Sequence, residues 1–425
     1  MKVAVVGTGI SGNVVAQRLH AAGHALTVFE AGDHVGGHAH THEIELDGQR
    51  HHVDTGFIVF NERTYPNFVA LLGDLGVASQ PSSMSFSVRN DDSKLEYNGS
   101  SLNGLFAQRR NLLRPAFLGM LADILRFNRE APGLLEGATV DLTLGDYLQT
   151  HRYGERFVAD YLIPMGAAIW STDPQRIFDF PAQFFVRFLH NHGMLSVHDR
   201  PTWRVIRGGS ACYVDRLVAP WRDRIRLRCP VESVRRLPDG VLIGARGRSV
   251  ERFDQVFLAC HADQALRLLA DPSPEERAVL GALPYQRNEA VLHTDTSLLP
   301  RRRRAWAAWN YHLPAGRREG LALTYNMNIL QGLRARQTLC VTLNDSARID
   351  PRRVLRRMVY EHPLFTPAGV VAQQRHHEIS GVRLTHYCGA YWRYGFHEDG
   401  VVSALAALRL FEQVPNAQRA LSRVA

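Results

Sequence analysis

Residues 2–12 read KVAVVGTGISG, and this stretch decides the fold. Its first part, KVAVV, is short, apolar and valine-rich, as a strand buried on both faces of a parallel sheet must be. It runs straight into Gly7-Thr8-Gly9-Ile10-Ser11-Gly12, a G-x-G-x-x-G turn. Residues 13–22 then follow a helical pattern, with Val14, Val15, Leu19 and Ala22 apolar against Gln17 and Arg18, and Gly23 ends it. A second strand is expected over 26–29, closing on Glu30. In such a unit Gly7 permits the tight turn, Gly9 lets the backbone approach a pyrophosphate, and Gly12 lets helix and strand pack closely. The helix opening at Ile10 and Ser11 offers free N–H groups and a partial positive charge. Glu30 lies 23 residues after Gly7, near the ~20 at which an acid holds a ribose 2′-hydroxyl, and its charge disfavours the 2′-phosphate of NADP. A lone G-x-G-x-x-G often only makes a turn. Here it has its strand, helix, second strand and acid, so residues 1–75 are expected to begin a dinucleotide-binding domain.

The next residues carry a resemblance. Glu30-Ala31 followed by Gly36-Gly37-His38 and Thr41 resembles the second glycine motif of the FAD-dependent amine oxidase and phytoene desaturase superfamily. In that group the paired glycines and a following Arg lie against the FAD phosphates. His38 stands at the Arg position, and imidazole can donate to a phosphate without permanent charge. Taken alone, Gly36-Gly37 would read as a flexible loop. Residues 53–60 (VDTGFIVF) resemble the D-x-G strand that lines the flavin, which implies contacts from Thr55, Gly56, Phe57 and Ile58. Residues 386–391 (HYCGAY) resemble the F-A-G-E segment, and 395–401 (GFHEDGV) the closing glycine segment and helix. Gly389, Asp399, Gly400 and Val401 are the implied contacts there, and Val231 the implied backbone contact to adenine. Ala390 stands where many members carry Glu, which turns attention to Asp399 as its substitute. A helix N-terminus at the flavin would stabilise its anionic reduced form.

The wording VDTGFIVFNERTYPNF (53–68) with GAYWRYGFHEDG (389–400) is similar to a bacterial subgroup of FAD-binding oxidoreductases. That subgroup is associated with fatty-acid-modifying enzymes resembling cyclopropane fatty-acid synthase, and members are thought to desaturate methyl-branched acyl chains. The implied fold is α/β: a Rossmann-like FAD-binding domain of the GR2 type with an inserted α+β substrate domain. The expected division is 1–75, 196–270 and 381–425 for FAD, and 76–195 and 271–380 for the substrate and its lid.

The totals agree with a two-domain globular chain: 425 residues, 45% hydrophobic and 21% charged. No apolar run reaches the roughly 18 residues of a membrane span, and the chain start reads as strand rather than signal peptide. The five cysteines are scattered without a C-x-x-C pair, as reduced cytoplasmic thiols would be. His38, His40 and His42 alternate as strand residues beside a phosphate loop, and no metal is expected. The net charge is +9, nearly all from arginine, since Lys2 and Lys94 are the only lysines. A basic balance suits nucleic acid, anionic membrane or acidic substrates, but no nucleic-acid motif accompanies it.

Along the chain, a helix is expected from Pro66 to about 72, a hairpin over 86–97, and an amphipathic helix over 112–127 broken near Pro115. That helix faces either its own core or a lipid interface. Further helices over 142–150 and 153–170 complete a helical lid spanning 105–195. Strand character returns at 224–234 and 253–260, with a hairpin over 240–250 and a helix from Asp263. Residues 290–295, 305–312, 321–328 and 338–344 read as a sheet flooring a pocket. Arginines 301–304 with Trp306 and Trp309 read as a solvated run or as a patch for anionic lipid. The closing helix is expected over 401–411.

The expected function is removal of a hydride from a lipid, desaturating a fatty-acyl chain, in the cytoplasm or peripherally on the inner membrane face. The alternatives are a flavin amine or amino-acid oxidase and a non-enzymatic flavin-binding protein. Many amine oxidases resembling this fold hold a Lys near flavin N5, and with only Lys2 and Lys94 present that lysine is expected to be absent. Glu62, Tyr65 and Tyr394 are the catalytic candidates, with Arg63 an anchor for a carboxylate or phosphate, and His397 and Glu398 able to tune flavin charge.

Overall fold

The valine-rich run forms the strand Lys2–Val6 in the middle of a five-stranded parallel sheet. The order across the sheet is Ile225–Arg226, Ala25–Phe29, Lys2–Val6, Gln255–Leu258, Thr385–Tyr387, every pairing parallel. The molecule is seen in a computed structural model that describes residues 1–137, 142–196, 200–316 and 320–421, and side chains to 413. Side chains of the central strand alternate between two cores, which is why the run is continuously apolar. Val3 and Val5 face the helices Ile10–Ala21, Ala211–Val218 and His397–Leu421. Ala4 and Val6 face the antiparallel strands Val231–Leu237 and Gly240–Ala245 and the helix Ala262–Leu268.

A second sheet of seven strands forms the other layer, in the order Val354–Pro363, Tyr285–His293, Cys340–Leu343, Leu323–Asn326, Trp309–Leu313, Phe86–Asn90, Leu95–Asn98. It is antiparallel except where Trp309–Leu313 runs parallel to Phe86–Asn90. The helices Pro115–Glu130, Leu144–Thr150, Ile163–Trp170 and Ala182–Asn191 close over it in a shared core. The helical stretch and the sheet therefore enclose space between them, beside the parallel sheet.

Several elements differ from expectation for visible reasons. The hairpin expected over 240–250 forms with its second strand at 251–253, and residues 231–237 add a third antiparallel strand on the other side of 240–245. The long strand Val354–Pro363 went unforeseen because VLRRMVYEHP does not alternate; it is a half-exposed edge strand. The helix expected from 112 starts at Pro115, whose missing N–H costs nothing in a first turn, after a 3-10 turn Arg109–Leu113. The helices Pro274–Gly281, Pro367–Gln374 and His376–Ile379 fall within 271–380 yet contribute Val279, Leu280, Ala372 and Ile379 to the core beneath the parallel sheet. The last residues of the third FAD segment, 422–425, lie outside the described residues.

Candidate active site

One large cavity of about 1040 Å3 runs from the opening glycine turn into the space between lid helices and seven-stranded sheet. At its first end the wall is backbone. Gly7 has φ +103°, and a Cβ there would meet the Ala259 carbonyl oxygen at 2.8 Å. A Cβ on Gly12 would lie 2.0 Å from the Gly7 carbonyl oxygen, so its role is the helix–strand packing expected of it, away from the cavity wall. Gly9 has open space where its Cβ would be, and Gly37 packs on it, so the two glycine loops meet at the cavity. Gly9 also caps the helix Ile10–Ala21 without any side-chain bond, leaving first-turn N–H groups for a ligand. Glu30 is fixed by the Thr8 N–H (2.9 Å) and hydroxyl (2.5 Å) and the Gly32 N–H (2.7 Å), with carboxylate lone pairs to spare for a ribose. Ile10, Ser11, Ala31, Gly36 and Val231 line the same end.

The middle is rich in imidazoles. The half-buried His38 has its Nε2 shielded from solvent and without a partner among the described residues, and its ring stands 5.2 Å from His362 and 6.4 Å from His261. Burial and the neighbouring histidines hold its pKa well below the usual value, so it is neutral. A bare glycine-rich helix N-terminus opening on the cavity fits a dinucleotide pyrophosphate, and the residues present fit FAD. Gly56, Phe57, Ile58 and Gly389 line the cavity here, and His397 stacks on Phe57 at 3.6 Å. The Tyr213 hydroxyl shares a 2.6 Å bond with His397 Nε2, and burial pushes that imidazole down to about 3. His34, His40 and His42 stack ring on ring outside this wall.

The far end is apolar and aromatic: Met84, Met165, Ile169, Trp170, Trp309 and Phe365 are among its walls. Carboxylates on the cavity wall are Glu30 and Glu361 alone among the described residues, and neither Lys2 nor Lys94 reaches it. Tyr65 and Tyr394 line it. Burial, with Asp399 and Glu398 near, pushes the Tyr65 phenol far above its ordinary range, so it stays protonated and can donate a hydrogen bond but cannot act as a base. The Tyr394 ring packs on Phe184 at 4.8 Å, and its carbonyl accepts from Trp170 Nε1 at 3.2 Å.

Other expected contacts lie elsewhere. Glu62 is exposed, 3.6 Å from Arg204, and cannot serve as a proton acceptor in the cavity. Arg63 lines a smaller neighbouring cavity, with Asp399. Asp399 accepts from the Phe396 (2.9 Å) and Tyr394 (3.2 Å) N–H groups, tying the turn before the closing helix; it does not replace the Glu missing at Ala390. Glu398 caps a different helix, accepting from the Asn67 and Phe68 N–H groups. Gly400 is where the closing helix crosses the opening one: the Ser11 hydroxyl donates to its carbonyl at 2.9 Å, and a Cβ there would meet Ile10 at 2.6 Å. Val401 is buried in the core beside it. The Thr55 hydroxyl bonds to that of Tyr360 at 2.7 Å, behind the wall.

Sequence reasoning missed His261, His362 and His192. His192 lines the apolar end, its Nδ1–H donates to the Phe188 carbonyl at 2.9 Å, and burial holds it down to about 4. That bond fixes the tautomer and leaves Nε2 with its lone pair. No local motif marks these residues, since each is brought to the cavity by a different element.

The sequence model of the family described as flavin containing amine oxidoreductase matches residues 10–303, more than half of the chain. No curated protein matches. Among solved structures, cyclohexylamine oxidase from Brevibacterium oxydans IH-35A is 16% identical, with TM-score 0.70 over 97% of this chain and 99% of that one. Wild-type putrescine oxidase bound to putrescine is 16% identical, with TM-score 0.69 over 97% and 99%. A fatty acid isomerase from P. acnes that produces CLA is 14% identical, with TM-score 0.68 over 96% and 98%. At such identities the likeness is one of fold.

Proposed function

The chain belongs to the flavin containing amine oxidoreductase family, and on that premise we propose that it desaturates a fatty-acyl chain, most naturally one carrying a methyl branch. It is an FAD-dependent oxidoreductase, which sets aside a merely structural flavin. The observation that carries the lipid reading is the far half of the cavity: apolar and aromatic walls, no lysine, and both wall carboxylates elsewhere. When bound, FAD supplies the two-electron chemistry by accepting a hydride from a C–H bond. The chain's own residues orient the substrate and exclude water. Met84, Met165 and Ile169 give adaptable apolar contact along an alkyl chain. Trp309 lines the cavity with an indole N–H that has no partner among the described residues, suited to a carbonyl oxygen of the acyl group. Loss of a hydride from one carbon and a proton from its neighbour leaves a double bond. The proton passes to His192 Nε2, the one imidazole among the described residues lining the apolar end. A methyl branch makes the hydride donor a tertiary carbon. Under this reading the protein works in the cytoplasm, at the inner membrane face.

One observation favours a second reading, oxidation of an amine: Trp170, Tyr325 and Tyr394 supply aromatic faces that attract a cation. Against it stands the lack, among the described residues, of a cavity-wall carboxylate beside them. Turnover of branched acyl chains and of primary amines, with products read by mass spectrometry, separates the two. The proposal expects an acyl product lighter by two hydrogens and a slower His192→Asn variant. Oxidised amine with untouched acyl chain overturns it.

A further inference from the structure

The helix Pro115–Glu130 turns Phe117, Met120 and Phe127 inward, yet through its first three turns the exposed side is not polar. Between Pro115 and Leu125 every exposed position is apolar, including Leu118 at 43% and Leu125 at 60% exposure. The turn before it exposes Leu112 at 50% and Leu113 at 88%, and the short helix Leu102–Leu105 exposes Leu102 at 76%. A helix that is apolar on both sides is normally buried, so an exposed one has a partner. Cations surround this surface. Arg109 and Arg110 are exposed in the same turn, with Arg114 at its end. The four exposed arginines 301–304, nearly two hundred residues away in sequence, are brought beside it. The 3-10 turn Arg303–Ala305 packs against Leu102–Leu105. The N–H groups of Arg301 and Arg302 donate to Glu96, whose own N–H donates to Gln108, at the start of the leucine-bearing turn. Among the described residues Asp91 is the one carboxylate in an ion pair with the guanidinium groups of the run, and it already holds Arg89 and His312.

We propose that this surface docks on an anionic phospholipid bilayer, the leucines entering the interface and the arginines meeting lipid phosphates. Charge complementarity chooses this occupant: seven arginines around an apolar centre fit a negatively charged lipid surface. Trp306 belongs to the patch, with Arg303 over its ring at 5.4 Å. Trp309 does not; it faces the cavity. The surface adjoins the site. Gly99 and Ser100 line the cavity and run directly into Ser101 and exposed Leu102. A chain drawn from the bilayer thus meets the cavity wall at the edge of the docked surface. This inference rests on the lipid reading for its purpose, but its test involves no turnover.

The test is sedimentation of the flavin-loaded full chain with vesicles of phosphatidylcholine alone and of equal parts phosphatidylcholine and phosphatidylglycerol. The wild type is expected to pellet with the second and stay in solution with the first. L113E/L118E and R301Q/R302Q/R303Q/R304Q should each weaken vesicle affinity at least about tenfold, the second up to about a thousandfold, and high salt should release the wild type. Retention of the flavin spectrum by both variants certifies their folding, as all six positions are exposed. Equal recovery in the supernatant with and without anionic lipid overturns the proposal, as does binding unchanged in both variants. Concentration-dependent dimers that L113E/L118E abolishes, without vesicle binding, would assign the surface to a second copy and also overturn it.

Discussion

At the nucleotide end of the cavity the wall is backbone: glycines without Cβ atoms, a bare helix N-terminus and one carboxylate locked by three donors. At the far end it is side chain, with methionines and aromatics delivered by strands and helices from 84 to 394. Gly7 and Gly12 tolerate no added atom, because the backbone atoms it would strike cannot move. A side-chain site can be reshaped one residue at a time, so chemistry stays fixed while substrate changes.

The sharpest way to break that contrast is at Gly12. Gly12→Val puts side-chain atoms onto the Gly7 carbonyl, 2.0 Å from the first of them, and should abolish retention of FAD, read as a colourless preparation. Next is His38→Ala, which removes an imidazole from the cavity wall beside the glycine turn. It should weaken FAD binding about 10- to 100-fold by titration of the apoprotein, with the fold intact by circular dichroism. At the far end, Met165→Trp should leave FAD affinity unchanged and shift the preferred acyl length downward, roughly tenfold in kcat/KM for the longest chains.

The imidazoles of the cavity give a pH signature. His192, His362 and His397 are held by burial at about 4, 4 and 3 in the folded chain. Unfolded, each takes a proton near 6.5. Their contribution is full above 6.5 and is lost as pH falls toward 4, because only the unfolded chain gains protons there. Asp54 and Asp399, pushed up to about 6 by burial, act in the opposite sense between 4 and 6 and offset part of this. Tm should fall by at least about 5 °C between pH 7.5 and 5. The smallest effect belongs to Glu62→Gln, which touches neither end: flavin reduction should change less than about twofold.

The same contrast explains what could be read beforehand. Gly7, Gly9, Gly12 and Glu30 sit within thirty residues, and their spacing carries the geometry, so the parallel sheet and cofactor turn were legible. Gly400 was misassigned because a glycine needed for helix crossing looks, in sequence, like one needed for a ligand. Asp399 was expected to stand in for the Glu missing at Ala390 and Glu398 to tune flavin charge, but both carboxylates accept from backbone N–H groups. His192 and His362 were invisible, and Trp309 was read as part of a surface patch, because only the fold brings them to one cavity. Their proximity is a property of two sheets meeting, and no periodicity encodes it.

Anaerobic titration of the purified flavoprotein tests the central claim most directly, with a branched fatty-acyl substrate in one cuvette and a primary amine of equal length in the other. The account predicts that the acyl chain bleaches the visible flavin band and the amine leaves it unchanged. Bleaching by the amine alone would contradict it.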